Sequence, residues 1–132
     1  MVPDGVDLEH RALFSLPSPH VSPAMMGSLA AEIAGELSRE EVRGVVVTHG
    51  TDTLEESAFL ADLLVPPDKP VAFTAAMRSA SELGVDGPRN VMGAIRTVCT
   101  NELHNLGVTV VLNDEIHSAL RVTKTYTSNV SS

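Results

Sequence analysis

The chain has 132 residues, 43% of them hydrophobic, which suffices for one packed domain or part of one. Its formal net charge of −8 comes with no Lys/Arg cluster, so neither nucleic acid nor an anionic membrane surface is expected as a partner; both need a cationic footprint. No apolar run reaches the ~18 residues of a membrane span, residues 1–10 lack the basic and apolar regions of a secretory signal, and a lone Cys99 excludes an internal disulfide framework.

Taken in chain order, Ser22-Pro23 reads as an N-cap and first helical residue, and Met26, Leu29, Ile33 and Leu37 then recur at helical spacing. Residues 44–47 form a short β-branched run, as expected for a strand covered on both faces. Thr53 followed by Glu56 matches a capping box opening a helix through about Leu64, which Pro66-Pro67 stops. A second apolar strand spans residues 71–74, and residues 77–86 read as irregular. Gly87-Pro88 starts a further helix with Val91, Ile95, Val98 and Leu103 on one face, and Cys99 falls in that stripe as a buried, inert thiol. Residues 107–112 are a third buried strand, Asn113-Asp114 turns the chain, and residues 116–127 read as extended. Apolar strands alternating with helices predict an α/β fold with a partial doubly wound, mostly parallel sheet, and no internal domain boundary is visible.

In such a sheet, ligands lie beyond the carboxyl ends of the strands. Three segments are expected at that edge: residues 48–53, residues 75–78, and the chain from Asn113 onward. The first is the richest in chemistry, with hydroxyls on Thr48, Thr51 and Thr53, the imidazole of His49 and the carboxylate of Asp52. The helix that follows adds unpaired N–H groups and a positive dipole end. Thr53 is assigned to capping, which leaves Thr51 and Asp52 facing a ligand. His49 is read as a hydrogen-bonded structural imidazole that holds the loop. His10, His20, His104 and His117 show no metal-ligand spacing, and no glycine-rich phosphate loop occurs, so neither a metal nor a nucleotide cofactor is expected.

The run Val47-Thr48-His49-Gly50-Thr51-Asp52-Thr53-Leu54-Glu55-Glu56 resembles the second active-site signature of the bacterial-type L-asparaginases. Collinear segments extend the likeness over residues 16–129: Ala76-Met77-Arg78, then Asp86-Gly87-Pro88 and Asn90, then Val110-Val111-Leu112-Asn113-Asp114, and finally Val122-Thr123-Lys124-Thr125. The resemblance implies hydrolysis of L-asparagine to L-aspartate and ammonia, without a cofactor, by a cytoplasmic homo-oligomer. It also implies roles. Thr51, Asp52 and Lys124 would form a triad in which the Thr51 hydroxyl polarises the attacking group and Lys124 accepts its proton. Asp52 would hold the substrate's α-ammonium, Ser18 its α-carboxylate, and Ala76 would present a backbone carbonyl near the leaving amide.

The sequence departs from the family pattern in places. The family's first signature, a Thr-Gly-Gly-Thr-Ile-like turn bearing the acyl-accepting threonine, is not present, nor is the tyrosine that follows it. Ser79 stands where proline is usual, Gly84-Val85 where Ser-Ala is common, and Leu120 where arginine is common. The expectation is therefore an incomplete asparaginase-like N-terminal domain over residues 1–132, without the family's C-terminal domain and inactive by itself. Two alternatives remain open: a non-catalytic amino-acid-binding or assembly subunit, and an asparaginase-like subunit of a tRNA-dependent amidotransferase.

Overall fold

The computed structural model describes residues 7–9, 22–50, 53–66, 68–75, 86–100, 107–112 and 115–119. Its elements are α1 (Pro23–Leu37), β1 (Val45–His49), α2 (Leu54–Leu64), β2 (Val71–Ala75), α3 (Asp86–Val98), β3 (Val108–Leu112) and β4 (Glu115–Ser118). The strands form one sheet in the order β1-β2-β3-β4, with β1, β2 and β3 parallel and β4 antiparallel to β3. The α/β reading and the mostly parallel sheet hold, with helices on both faces.

Local sequence explains most of the boundaries. The Ser22 Oγ accepts from the Met25 backbone N–H at 3.2 Å, Pro23 needs no donor at the first helical position, and Met26, Leu29, Ile33 and Leu37 are all buried. The far end of α1 is tied down from a distance: the Lys69 ammonium donates to the Leu37 and Arg39 carbonyls at 2.8 and 2.9 Å. A cation there satisfies carbonyls that have no intrahelical partner. The central strands β2 and β3 are buried along their whole length, as their unbroken apolar character requires.

The two faces of the sheet differ. Alternate residues Val71, Phe73, Ala75, Val108, Val110 and Leu112 pack with Leu29 and Ile33 of α1 and Leu54, Ala58 and Ala61 of α2. The intervening Ala72 and Val111 pack with Ala94 and Val98 of α3. So α2, joining β1 to β2, lies on one face, and α3, joining β2 to β3, lies on the other. The three strands are parallel and follow one another across the sheet, so the two crossovers must have opposite hands. One of them breaks the right-handed rule that about 98% of such units obey.

Four expectations need correction. Thr53 sits at the N-cap of α2, but with φ −123° and ψ 16° its side chain makes no capping hydrogen bond. That backbone lies outside the extended region from which an N-cap hydroxyl reaches back to the helix. β1 is half-buried rather than covered on both faces, because among the described residues only β2 pairs with it. It also runs two residues past its apolar stretch, to His49, carried by ladder pairing of Thr48 with Thr74 and of His49 with Ala75. Cys99 is half-buried in the turn after α3 rather than in the helix; its carbonyl accepts from the Arg43 guanidinium at 3.4 Å. The inward face of α3 carries Asn90, Ala94, Ile95, Thr97 and Val98, with Val91 half-buried; Leu103 lies outside the described residues.

Candidate functional site

Three parallel strands deliver their carboxyl ends to one edge of the sheet, at His49, Ala75 and Leu112. The three chemistry-bearing segments expected from the sequence all leave the strands from this edge. Thr48 is exposed there, while His49 and Gly50 are half-buried. Ser18, Thr51, Asp52, Ala76 and Lys124 themselves lie outside the described residues. What the structure gives is the frame on either side of Thr51 and Asp52 and the strand end just before Ala76.

At the end of β1, His49 Nδ1 lies 2.7 Å from the Gly50 carbonyl oxygen, and His49 Nε2 lies 2.9 Å from Ser57 Oγ. A carbonyl can only accept, so Nδ1 carries the proton and donates to it. In the neutral ring Nε2 is then an acceptor, and the Ser57 hydroxyl donates to it. The ring sits 6.2 Å from Phe73, tilted by 43°. His49 is thus a hydrogen-bonded imidazole, as its place in the sequence suggested, tying the end of β1 at Gly50 to α2 through Ser57. Ser57 is 1% exposed on the inner face of α2. Nothing in the sequence singled it out, yet it interrupts a stripe of Leu54, Ala58 and Ala61 at helical spacing, and a serine in such a stripe must find a polar partner.

At the end of β2 a second side chain acts in the same way. Asn90 Nδ2, on the first turns of α3, donates to the Ala75 carbonyl at 3.1 Å in a buried setting. Deeper in the sheet, Thr74 Oγ1 donates to the Val111 carbonyl at 2.7 Å, which ties β2 to β3. The amino end of α2 carries Glu55 and Glu56 in its first turn, so carboxylates already complement the positive end of that helix. Among the described residues, no three His, Cys, Asp or Glu side chains gather as a metal site would require. Nor is any described helix long and apolar enough to cross a membrane.

The family model for the asparaginase N-terminal domain matches residues 2–132. The chain belongs to the asparaginase family. It is 43% identical over 131 residues to a probable L-asparaginase of Deinococcus radiodurans, an alignment covering 96% of this chain and 39% of that protein. It is 38% identical over 125 residues to L-asparaginase 2 of Bacillus subtilis, covering 95% of this chain and 33% of that one. Among solved structures, a probable cytoplasmic L-asparaginase from Campylobacter jejuni superimposes with a TM-score of 0.80 at 41% identity, over 87% of this chain and 35% of that chain. The chain thus spans about two-fifths or less of the length of these asparaginase relatives.

Proposed function

We propose that this chain supplies part of an amide-hydrolysing site that converts L-asparagine and water to L-aspartate and ammonia. The observation that carries the proposal is the asparaginase signature through Thr51 and Asp52, which leaves the sheet directly from the carboxyl end of β1. In this reading Lys124 takes the proton from the attacking group through Thr51, a role that requires a lysine kept from full hydration. Asp52 binds the α-ammonium by a charge-assisted hydrogen bond, Ser18 the α-carboxylate, and the Ala76 carbonyl lies near the leaving amide. The acyl-accepting threonine comes from residues of the complete protein outside this sequence. The substrate is a small amino-acid amide; the complete protein acts in the cytoplasm as a homo-oligomer, without nucleic acid or membrane.

The test is asparagine hydrolysis by residues 1–132 with and without a co-expressed segment bearing a Thr-Gly-Gly-Thr-like turn. Ammonia should appear only with that segment. Lys124→Met should then lower kcat by about 10²–10⁴ while leaving KM little changed, as loss of a general base does. Asp52→Ala should raise KM as well, because it also removes a ground-state contact. Near-normal turnover by Lys124→Met would overturn the role given to that lysine, and silence of the complemented wild type would overturn the hydrolysis itself.

A further inference from the structure

The ends of β1 and β2 share a feature that neither the signature nor the resemblance assigns. In each, a side chain donates to the backbone carbonyl of the residue just before a candidate site residue: His49 to Gly50, ahead of Thr51, and Asn90 to Ala75, ahead of Ala76. A carbonyl and the amide that follows it share one plane. Fixing the Gly50 oxygen therefore sets the direction in which the chain enters Thr51, and fixing the Ala75 oxygen does the same for Ala76. From these contacts we infer that His49 and Asn90 are paired positioning residues, with Ser57 holding the His49 ring, that fix the Gly50 and Ala75 carbonyls from which the candidate site residues Thr51, Asp52 and Ala76 follow. The inference rests on the hydrolytic reading of the edge.

The two clamps come from opposite faces. Ser57 reaches His49 from α2, and Asn90 reaches Ala75 from α3, while His49 and Ala75 are register partners across the β1–β2 ladder. Both anchors are buried, with Ser57 1% and Asn90 4% exposed, so water competes poorly for either bond. Gly50 brings no side chain of its own to fix the turn, and as a glycine it has the widest choice of backbone conformations. An external donor on its carbonyl restricts that choice. Neither His49 nor Asn90 touches the reacting atoms in this scheme; each acts through the backbone it holds.

The roles separate kinetically. Asp52 is proposed to bind the ground state, so loosening the first clamp should affect both KM and kcat. Ala76 is proposed to face the leaving amide, so loosening the second should fall mainly on kcat. In the complemented chain, His49→Leu should raise KM and lower kcat, each by about tenfold, and His49→Asn, whose Nδ2 stands where Nδ1 stood and keeps a donor for the Gly50 carbonyl, should recover most of both. Asn90→Leu should lower kcat by roughly 10–100-fold with KM within about threefold of wild type. With kcat expressed per folded, active molecule, a purely structural role would lower only the amount of active protein and leave both kcat and KM unmoved in the two variants.

The clamps can also be read in the complemented chain by a measurement that needs no turnover. Ring ¹⁵N resonances should show His49 protonated on Nδ1 and bare on Nε2, and the carbonyl ¹³C resonances of Gly50 and Ala75 should move separately in His49→Leu and Asn90→Leu. A wild-type ring protonated on Nε2 alone, or leucine variants that leave both carbonyl resonances in place, would overturn the inference. Should a leucine variant fail to fold, the wild-type ring tautomer and the His49→Asn resonances still decide it. A complemented wild type that releases no ammonia sinks the proposed hydrolysis, and the clamps are then judged by these resonances alone.

Discussion

The sheet has a thick face and a thin one, built from the same three strands. Against α1 and α2 it presents Phe73, Val71, Val110 and Leu112, met by Leu29, Ile33 and Leu54. Against α3 it presents Ala72 and Val111, met by Ala94 and Val98. The small residues let α3 come close: a Cβ added at Gly93 would lie 3.4 Å from Val111 Cγ1, and one at Gly44 would lie 3.1 Å from Val98 Cβ and 2.8 Å from the Pro70 carbonyl oxygen. Burial energy scales with apolar area, so the thick face carries most of the hydrophobic stability. The thin face contributes close approach, and that approach brings Asn90 to the end of β2.

The largest expected effect tests that division directly. Phe73→Ala should cost about 3–5 kcal/mol, because Phe73 is fully buried and the cavity it leaves is only partly filled by relaxation. Val111→Ala on the thin face should cost roughly 1–2 kcal/mol. Denaturant unfolding of both variants gives the comparison, and equal losses would show that α3 packs as productively as the α1 and α2 layer.

Next in size is the joint between α2 and β3. Gly107 has φ +79°, and an added Cβ would meet Asp62 Oδ1 at 2.5 Å; that same oxygen accepts from the Val108 backbone N–H at 2.9 Å. Gly107→Ala should therefore cost about 1–3 kcal/mol, combining left-handed strain with a disturbed bond. Asp62→Ala in the same chain should relieve the crowding but not the strain, so a double-mutant cycle on unfolding midpoints should give losses that fall short of additive. Full additivity would mean that the contact between Asp62 and residue 107 contributes nothing.

Ser57→Ala should be smaller still, at about 1–2 kcal/mol, since it strands one hydrogen-bonding atom of His49 rather than a whole side chain. Thr74→Val, the matching hydroxyl loss in β2, should cost less, because the Val111 carbonyl it leaves also belongs to the sheet ladder. Paired thermal melts of the two variants rank them.

The smallest effect is electrostatic and lies beyond the end of α1. There Arg39 pairs with Glu36 at 2.8 Å, Glu41 at 3.3 Å and Glu9 at 3.4 Å. A hydrogen bond with its own backbone, then the Arg39 guanidinium, holds the Glu41 carboxyl below its ordinary value. A depressed folded-state value means the contribution is present above the usual carboxylate range and is lost as pH falls through the folded value. The cluster is solvated and screened by salt. An Arg39→Met variant should thus differ from wild type slightly at neutral pH in low salt, and not at all at strongly acid pH; a gap that widened on acidification would reverse the assigned sign.

Much of this molecule was legible in one dimension. The apolar runs at residues 71–74 and 107–112 are buried strands, and Ser22-Pro23 with the Met26, Leu29, Ile33 and Leu37 stripe is a capped helix packed on the core. Those features are local: side-chain period and capping chemistry act within a few residues, so sequence order suffices to read them. The family signature was equally legible, because it is a contiguous run between a strand and a helix.

Other features required the chain to be assembled. Thr53 and Glu56 spell a capping box, yet the backbone entering α2 denies the threonine that bond, while an unremarked Ser57 one turn later engages His49. The Asn90 bond to Ala75 joins groups fifteen positions apart, and Lys69 caps a helix that ends more than thirty positions earlier. Capping chemistry told that α2 is a helix and periodicity that α3 has an apolar face, but neither told that the two cover opposite faces of the sheet and so give β1-β2 and β2-β3 crossovers of opposite hand. The sequence by itself determined the elements and the chemical character of the edge. Which donor holds which carbonyl there was decided only in three dimensions, because a hydrogen bond needs its atoms within about 3 Å and local spacing cannot say which distant groups will arrive.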